Sequence, residues 1–176
     1  DGPINWGGWQ PKNYGRSYSG KMTLTTALVK SINTVPVRLA KDHLSIPPIK
    51  AMAEAMGVES VLEGHKTMVL GTSGMTVMDQ ATGYEVFANG GYAGTRYGIS
   101  QIMTHGGQVV WDHDRDAAPP RRVLSEKSVA EMNSMLVQVP EWGTARRAAL
   151  DGIRSAGKTG TTQSYRDAWY VGYTGN

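Results

Sequence analysis

The 176-residue chain contains no cysteine. That excludes disulfides, thiol catalysis and cysteine-built zinc sites, and it is compatible with an oxidising compartment. No run of about 18 apolar residues occurs, the length a helix needs to cross a bilayer. An excess of one charge sign is also lacking: 18 basic and 15 acidic side chains leave a net +3. Arg121-Arg122 and Arg146-Arg147 are isolated pairs rather than a stripe, so no nucleic-acid partner is expected. There is no internal repeat, low-complexity tract or signal peptide. The chain opens abruptly on Asp1-Gly2-Pro3, so the missing targeting segment carries no weight for a longer protein. His43, His65, His105 and His113 show no metal-ligand spacing, and Asp112-His113-Asp114 reads as a polar hairpin end. Neither a metal nor a cofactor is expected.

What is present describes one globular domain or a large part of one, with 40% hydrophobic and 19% charged residues. Residues 1–20 lack periodicity and read as an irregular loop; Trp6, Trp9, Tyr14 and Tyr18 fit a loop folded over the domain better than a sugar platform. Thr23 is placed to cap a short helix holding Leu24, Ala27 and Leu28, which breaks at Ser31-Ile32-Asn33. A second helix starts at Thr34 and runs to about His43, with Pro36 tolerated in its first turn. Pro47-Pro48 opens a third helix that stops at Gly57. Thr76 caps a fourth over Val77 to Ala88, closed by Asn89-Gly90-Gly91. A hairpin is expected over Ile99 to Trp111, turning at Gly106-Gly107. Ser125 starts a fifth helix with Val129, Met132, Leu136 and Val139 on one face. The nine methionines are expected to fill core gaps. Gly152–Thr162 and Ala168–Thr174 predict two antiparallel strands joined by the polar turn Gln163 to Asp167. The fold expected is α+β: a mainly helical part with a hairpin over 1–150, packed on an antiparallel sheet that begins in 151–176.

The segment Gly152 to Thr162 satisfies three motifs. Gly152, four residues and Gly157-Lys158-Thr159 fit the phosphate-binding loop G-x-x-x-x-G-K-[ST], which would make the chain a nucleotide binder. That loop needs a buried strand before it and a helix after it, whereas Ala145 to Asp151 is helix-like and polar and Gly160-Thr161-Thr162 is poor helix material. Ser155 to Lys158 fits S-x-x-K, a serine with its lysine base; on a strand, however, those two side chains point to opposite faces. Lys158-Thr159-Gly160 as a K-T-G strand lining a cleft fits the flanking composition. There the lysine would bring positive charge, the threonine a hydroxyl donor, and the glycine room for a substrate backbone.

Ser31-Ile32-Asn33 is an S-x-N at a helix junction. Alone it reads as a pair of capping residues. S-x-x-K, S-x-N and K-T-G recur together in penicillin-recognising enzymes. The wider sequence resembles the transpeptidase domain of class A penicillin-binding proteins. The similarity runs in order through Trp9-Gln10-Pro11-Lys12-Asn13-Tyr14, Met22 to Thr34, Leu70-Gly71, Phe87 to Gly91, Gly143-Thr144-Ala145, Ala156 to Thr162 and Asp167 to Thr174.

The resemblance implies a β-lactamase/transpeptidase-like fold, incomplete in this chain. It also implies a bacterial enzyme on the periplasmic face of the cytoplasmic membrane, anchored through a segment outside these residues. Such enzymes cross-link peptidoglycan stem peptides ending in D-alanyl-D-alanine through a serine acyl-enzyme, and β-lactam antibiotics acylate the same serine. Carried onto this sequence, Ser31 would relay a proton to the leaving amine. Asn33 would orient the substrate amide and the S-x-x-K lysine. Lys158 would charge the cleft and hold Ser31. Thr159 and Thr161 would receive the terminal carboxylate beside Gly160, and the Thr161 amide would form half of an oxyanion hole. The S-x-x-K expected upstream of Ser31 does not occur in residues 1–30. The chain alone is therefore expected to be inactive and not acylated, needing the upstream segment of the same domain as partner. The other reading is a non-catalytic module that binds peptides or partners. If S-x-N and K-T-G share one cleft, Ser31 and Lys158 must lie within hydrogen-bonding reach.

Overall fold

A computed structural model describes residues 1–162 and 165–175. Seven α-helices and six strands follow in the order α1 Leu24–Val29, α2 Thr34–Leu39, α3 Ile46–Ala55, α4 Val77–Ala88, β1 Tyr92–Ala93, β2 Gln101–Met103, β3 Val109–Asp112, α5 His113–Asp116, β4 Arg121–Arg122, α6 Glu126–Leu136, α7 Gln138–Trp142, β5 Ser155–Thr161 and β6 Ala168–Thr174. Pairs β1–β4, β2–β3 and β5–β6 are all antiparallel.

Local chemistry sets most boundaries. Thr23, Thr76 and Ser125 each accept a backbone N–H of the first turn through the side-chain oxygen, satisfying donors that would otherwise be orphaned. At Thr76 the cap is reciprocal, with Asp79 bonding back to the Thr76 amide. The second helical segment widens into a π turn over Ala40–Leu44, where the Ser45 amide donates to the Ala40 carbonyl, and stops at Ser45, whose φ is 61°. The helix expected from Ser125 is two helices. Pro140 has no N–H to offer the Leu136 carbonyl four residues back, and its ring crowds that turn, so α6 ends at Leu136 and α7 restarts. Short pairing of Tyr92 with Arg122 and Ala93 with Arg121 was outside the sequence expectation. Ala145 to Asp151, read as helix-like, forms only a 3-10 turn at Arg146–Ala148.

The opening segment does fold over the domain. Trp6 and Trp9 bridge in a tight turn whose Trp6 and Gly7 carbonyls accept from Lys66 Nζ. Lys12 and Asn13 dock on the α1–α2 junction: the Lys12 carbonyl accepts from Asn33 Nδ2, and Asn13 Oδ1 accepts from the buried Thr34 amide at 3.3 Å.

The core holds small and β-branched residues, with Val29, Val37, Val86 and Val139 fully enclosed. The methionines correct the expectation made of them: none is among the buried residues, and Met52, Met78 and Met103 are exposed. Val29, Val139 and Ala145 form one cluster joining the end of α1 to α7. Gly143 sits where these pieces meet. A Cβ there would stand 2.6 Å from both Val29 Cγ1 and the Val29 carbonyl oxygen, and 2.8 Å from the Val139 carbonyl oxygen. Backbone atoms cannot swing aside, so Gly143→Ala is expected to destabilise the fold by about 1–3 kcal/mol. Thermal unfolding checks this; an unchanged midpoint would mean the junction is looser than the contacts require.

Strand β5 packs against α6 and α7, and β6 against α4. Tyr173 donates to Asn133 Oδ1 on α6 at 2.5 Å, and Asn133 Nδ2 donates to the Phe87 carbonyl on α4, so one amide ties sheet to both helices. Burial pushes the Tyr84 and Tyr173 hydroxyls up to about 12, keeping them protonated donors. The predicted turn between β5 and β6 is closed by Thr162, whose amide donates to the Asp167 carbonyl and whose hydroxyl donates to Asp167 Oδ2. Gln163 and Ser164 of that turn lie outside the described residues.

This placement removes two of the three motif readings. Lys158 and Thr159 pair in the ladder with Val171 and Tyr170, and the chain returns as a strand rather than a helix. A phosphate loop needs free backbone amides at a helix start, so the nucleotide-binding reading falls. Ser155 and Lys158 share strand β5 three residues apart, which puts their side chains on opposite faces and rules out S-x-x-K geometry there.

Candidate active site

The site is assembled from the α1–α2 junction, the strand β5 and the turn after α7. Ser31 follows α1 at the left-handed position that closes a helix. Its φ is 55°, its amide donates to the Leu28 carbonyl, and the Ile32 amide donates to the Ala27 carbonyl. Glycine is the usual occupant, because a side chain there strains the backbone. The consequence is positional: the Ser31 hydroxyl projects outward from the helix end instead of capping it.

Lys158 meets that hydroxyl. Its Nζ donates to Ser31 Oγ at 2.8 Å and to the Thr159 carbonyl at 2.9 Å. The ammonium is partly enclosed, and burial holds its pKa below the ordinary lysine value of 10.5. The reach demanded by the shared-cleft reading is therefore met. Thr159 leaves the opposite face of β5, and its Oγ1 lies 2.6 Å from Thr144 Oγ1. Gly160 and Thr161 continue the strand, both exposed, with Thr161 on the same face as Thr159. Just beyond, the Tyr165 hydroxyl is 2.9 Å from the Tyr14 hydroxyl, so the opening segment reaches the end of the β5–β6 hairpin.

Asn33 is held differently from Ser31. Its Nδ2 donates to the Lys12 carbonyl, so it neither caps α2 nor touches Lys158 in the recorded contacts. Six residues singled out in the sequence thus divide. Ser31 and Lys158 are in direct contact, Thr159 adjoins Lys158 along the strand, and Gly160 with Thr161 extends the exposed edge. Asn33 stands one residue past Ile32 with its amide spent on the neighbouring loop.

Thr144 was not among the site residues expected. The signal available was its place in Gly143-Thr144-Ala145, whose flanking small residues mark a close backbone approach. The structure makes that approach explicit: the Thr144 amide donates to the Val29 carbonyl at 3.3 Å, and Ala145 is buried beneath.

Chemically, the assembly offers one partly enclosed ammonium, the four hydroxyls of Ser31, Thr144, Thr159 and Thr161, and an exposed strand edge. Such a surface can take an extended peptide by main-chain pairing, with the Thr159 and Thr161 hydroxyls on one face of the strand and the Lys158 ammonium on the other. Among the described residues no helix is long and apolar enough to cross a membrane.

Residues 1–176 match the penicillin binding protein transpeptidase domain throughout. Penicillin-binding protein 1A of Aquifex aeolicus is 34% identical over 166 residues, covering 94% of this chain and 22% of that protein. Penicillin-binding protein 1B of Haemophilus influenzae is 30% identical over 170 residues, covering 95% and 21%. The chain thus spans about a fifth of the length of these relatives. Among solved structures, the penicillin-binding protein PonA1 from Mycobacterium tuberculosis superposes with a TM-score of 0.85 at 24% identity, over 98% of this chain and 50% of that one. PonA1 has also been solved in complex with penicillin V. Penicillin-binding protein 1A from Haemophilus influenzae gives a TM-score of 0.81 at 24% identity, over 97% of this chain and 31% of that one. With its helices packed on an antiparallel pair carrying K-T-G, and S-x-N in contact with it, the chain belongs to the penicillin-binding protein transpeptidase domain family.

Proposed function

We propose that this chain supplies the S-x-N and K-T-G walls of a serine acyl-transfer site for peptidoglycan stem peptides ending in D-alanyl-D-alanine. The attacking serine and its lysine come from an S-x-x-K in a preceding segment of the same domain. The observation that carries the reading is the 2.8 Å contact between Lys158 Nζ and Ser31 Oγ, formed across most of the chain. In the reaction, the serine oxygen adds to the penultimate carbonyl. The C–N bond to the terminal D-alanine then breaks, and Ser31 passes a proton to the departing amine. The amine of a second stem peptide resolves the acyl-enzyme, releasing the serine. Asn33 orients the substrate amide once the substrate strand is seated. Lys158 keeps Ser31 aligned and makes the cleft positive toward the terminal carboxylate, which Thr159 and Thr161 receive while Gly160 admits the peptide backbone. The Thr161 amide is one oxyanion donor; losing one such donor typically costs about 100- to 1,000-fold in rate. β-Lactam antibiotics enter as acylating partners. The working location is the periplasmic face of a bacterial cytoplasmic membrane, with the anchor outside these residues.

Intact-protein mass spectrometry after benzylpenicillin treatment tests the reading, on this chain alone and joined to its preceding segment. A single adduct on the preceding segment, and none on residues 1–176, is the expected result. An adduct mapped to Ser155 would place the nucleophile in this chain and overturn the split site. No adduct on the joined chain would favour a module that binds without catalysis.

A further inference from the structure

Resting on that reading of β5, one hydroxyl outside both motifs has work of its own. A hydroxyl carries one proton and two lone pairs. The 2.6 Å pair between Thr144 and Thr159 can be donated from either side when the cleft is free. An ionised carboxylate only accepts. When one arrives at Thr159, the Thr159 proton must turn to it, and the bond to Thr144 is maintained only if Thr144 becomes the donor. We infer that Thr144 is a positioning residue for anion recognition: it accepts or donates in the free cleft, then donates to Thr159 and commits the Thr159 proton to the ligand.

The surroundings support the role. Thr144 is exposed but held in place, because its neighbours on both sides are fixed. Gly143 is wedged against Val29 and Val139, Ala145 is buried in the same cluster, and the Thr144 amide is bonded to the Val29 carbonyl. Val29 lies two residues before Ser31. The two adjacent residues of K-T-G are thus tied to one helix end by separate routes, Lys158 directly to Ser31 and Thr159 through Thr144. A chain of two hydroxyls also polarises in one direction when its far end meets an anion, strengthening both bonds. No other protein group in the recorded contacts bonds the Thr159 hydroxyl among the described residues.

The test measures acylation of the transpeptidase domain, this chain joined to its preceding segment, by benzylpenicillin and by benzylpenicillin methyl ester. The acid presents the carboxylate and the ester does not. Thr144→Val should slow the acid by about five- to tenfold, the loss of one hydrogen bond that acts on a charged partner, and leave the ester rate and the thermal midpoint unchanged. Thr144→Ser should restore the acid rate to within about twofold. Equal slowing of both compounds, or none of either, would overturn the inference. Thr159→Val serves as the control for the site itself. Should it leave the acid-to-ester ratio unchanged while Thr144→Val does likewise, the carboxylate reading of β5 fails. A ratio altered by Thr159→Val alone sinks only the part given to Thr144.

Discussion

Lys158→Ala is expected to slow benzylpenicillin acylation of the transpeptidase domain by roughly 100-fold, in line with removing a charged donor from the partly enclosed site proposed for acyl transfer. The lysine holds two groups at once, the Ser31 hydroxyl and the Thr159 carbonyl. Losing it frees the serine rotamer and removes the nearest positive charge together. Lys158→Arg separates those effects. It keeps the charge, but a planar fork cannot occupy the point that serves both acceptors, so a fall of about tenfold is expected. The pH profile gives an independent reading. Because burial lowers the lysine pKa in the folded state, the ammonium is present below that value and lost as pH rises through it. Acylation should therefore decline on an alkaline limb set below 10.5. The arginine variant, whose guanidinium does not titrate there, should lack that limb. Stability runs the opposite way: the cost of burying the charge is felt while Lys158 is charged and is relieved as pH rises from the folded value toward 10.5. An alkaline limb that persists unaltered in Lys158→Arg would exclude Lys158 as its source.

The second large effect lies far from the cleft. Asp79, at 2% exposure, accepts from the Glu59 amide, the Ser60 hydroxyl, the Thr76 amide and hydroxyl, and Arg96 Nη2 at 2.5 Å. Arg96 also donates to Thr82 Oγ1 and the Gly57 carbonyl, and its Nη1 lies 3.5 Å from Glu59 Oε2. One carboxylate thereby fastens the start of α4, the end of α3 and the loop after β1. Asp79→Asn is expected to lower the thermal midpoint by on the order of 10 °C, because it leaves Arg96 with only the exposed Glu59 carboxylate as counter-charge and turns an amide toward existing donors. The Ser60 and Arg96 hydrogen bonds hold the Asp79 pKa well below the usual carboxylate value of 3.8. Its contribution is complete above 3.8 and is lost as pH falls through the lower folded value. Melting measured from pH 7 down to about 2 should therefore show the gap between parent and variant narrowing in acid. A gap that stays constant, or a midpoint that never moved, would mean the hub is not what holds α4.

These cases show where the sequence was informative. α4 announced itself through Thr76 and the terminal Asn89-Gly90-Gly91, because capping is local chemistry between residues a few positions apart. The β5–β6 pair was legible from threonines, aromatics and valine on both sides of a polar turn. Ser31 and Lys158 were found through spacing and resemblance, not through periodicity. What stayed hidden depended on tertiary partners. Tyr92–Ala93 and Arg121–Arg122 are too short to show alternation. Pro140 splits a face that Val129, Leu136 and Val139 would otherwise make continuous. The core filled with valine rather than methionine because the helix ends approach closely, as Gly143 shows. Asp79 drew no attention in the sequence, because its partner Arg96 lies 17 residues away and reaches it only in the folded chain. Thr144 acquires meaning only from the 2.6 Å to Thr159.

The left-handed backbone at Ser31 sets two selections against each other. For the chain alone, the most comfortable residue at that spot is the one with no side chain, worth roughly 1–2 kcal/mol over any other. For the cleft, the hydroxyl is the reason to be there. A library of this domain screened for heat resistance alone would enrich Ser31→Gly, and the winners would be stable proteins whose lysine had lost the hydroxyl across the cleft.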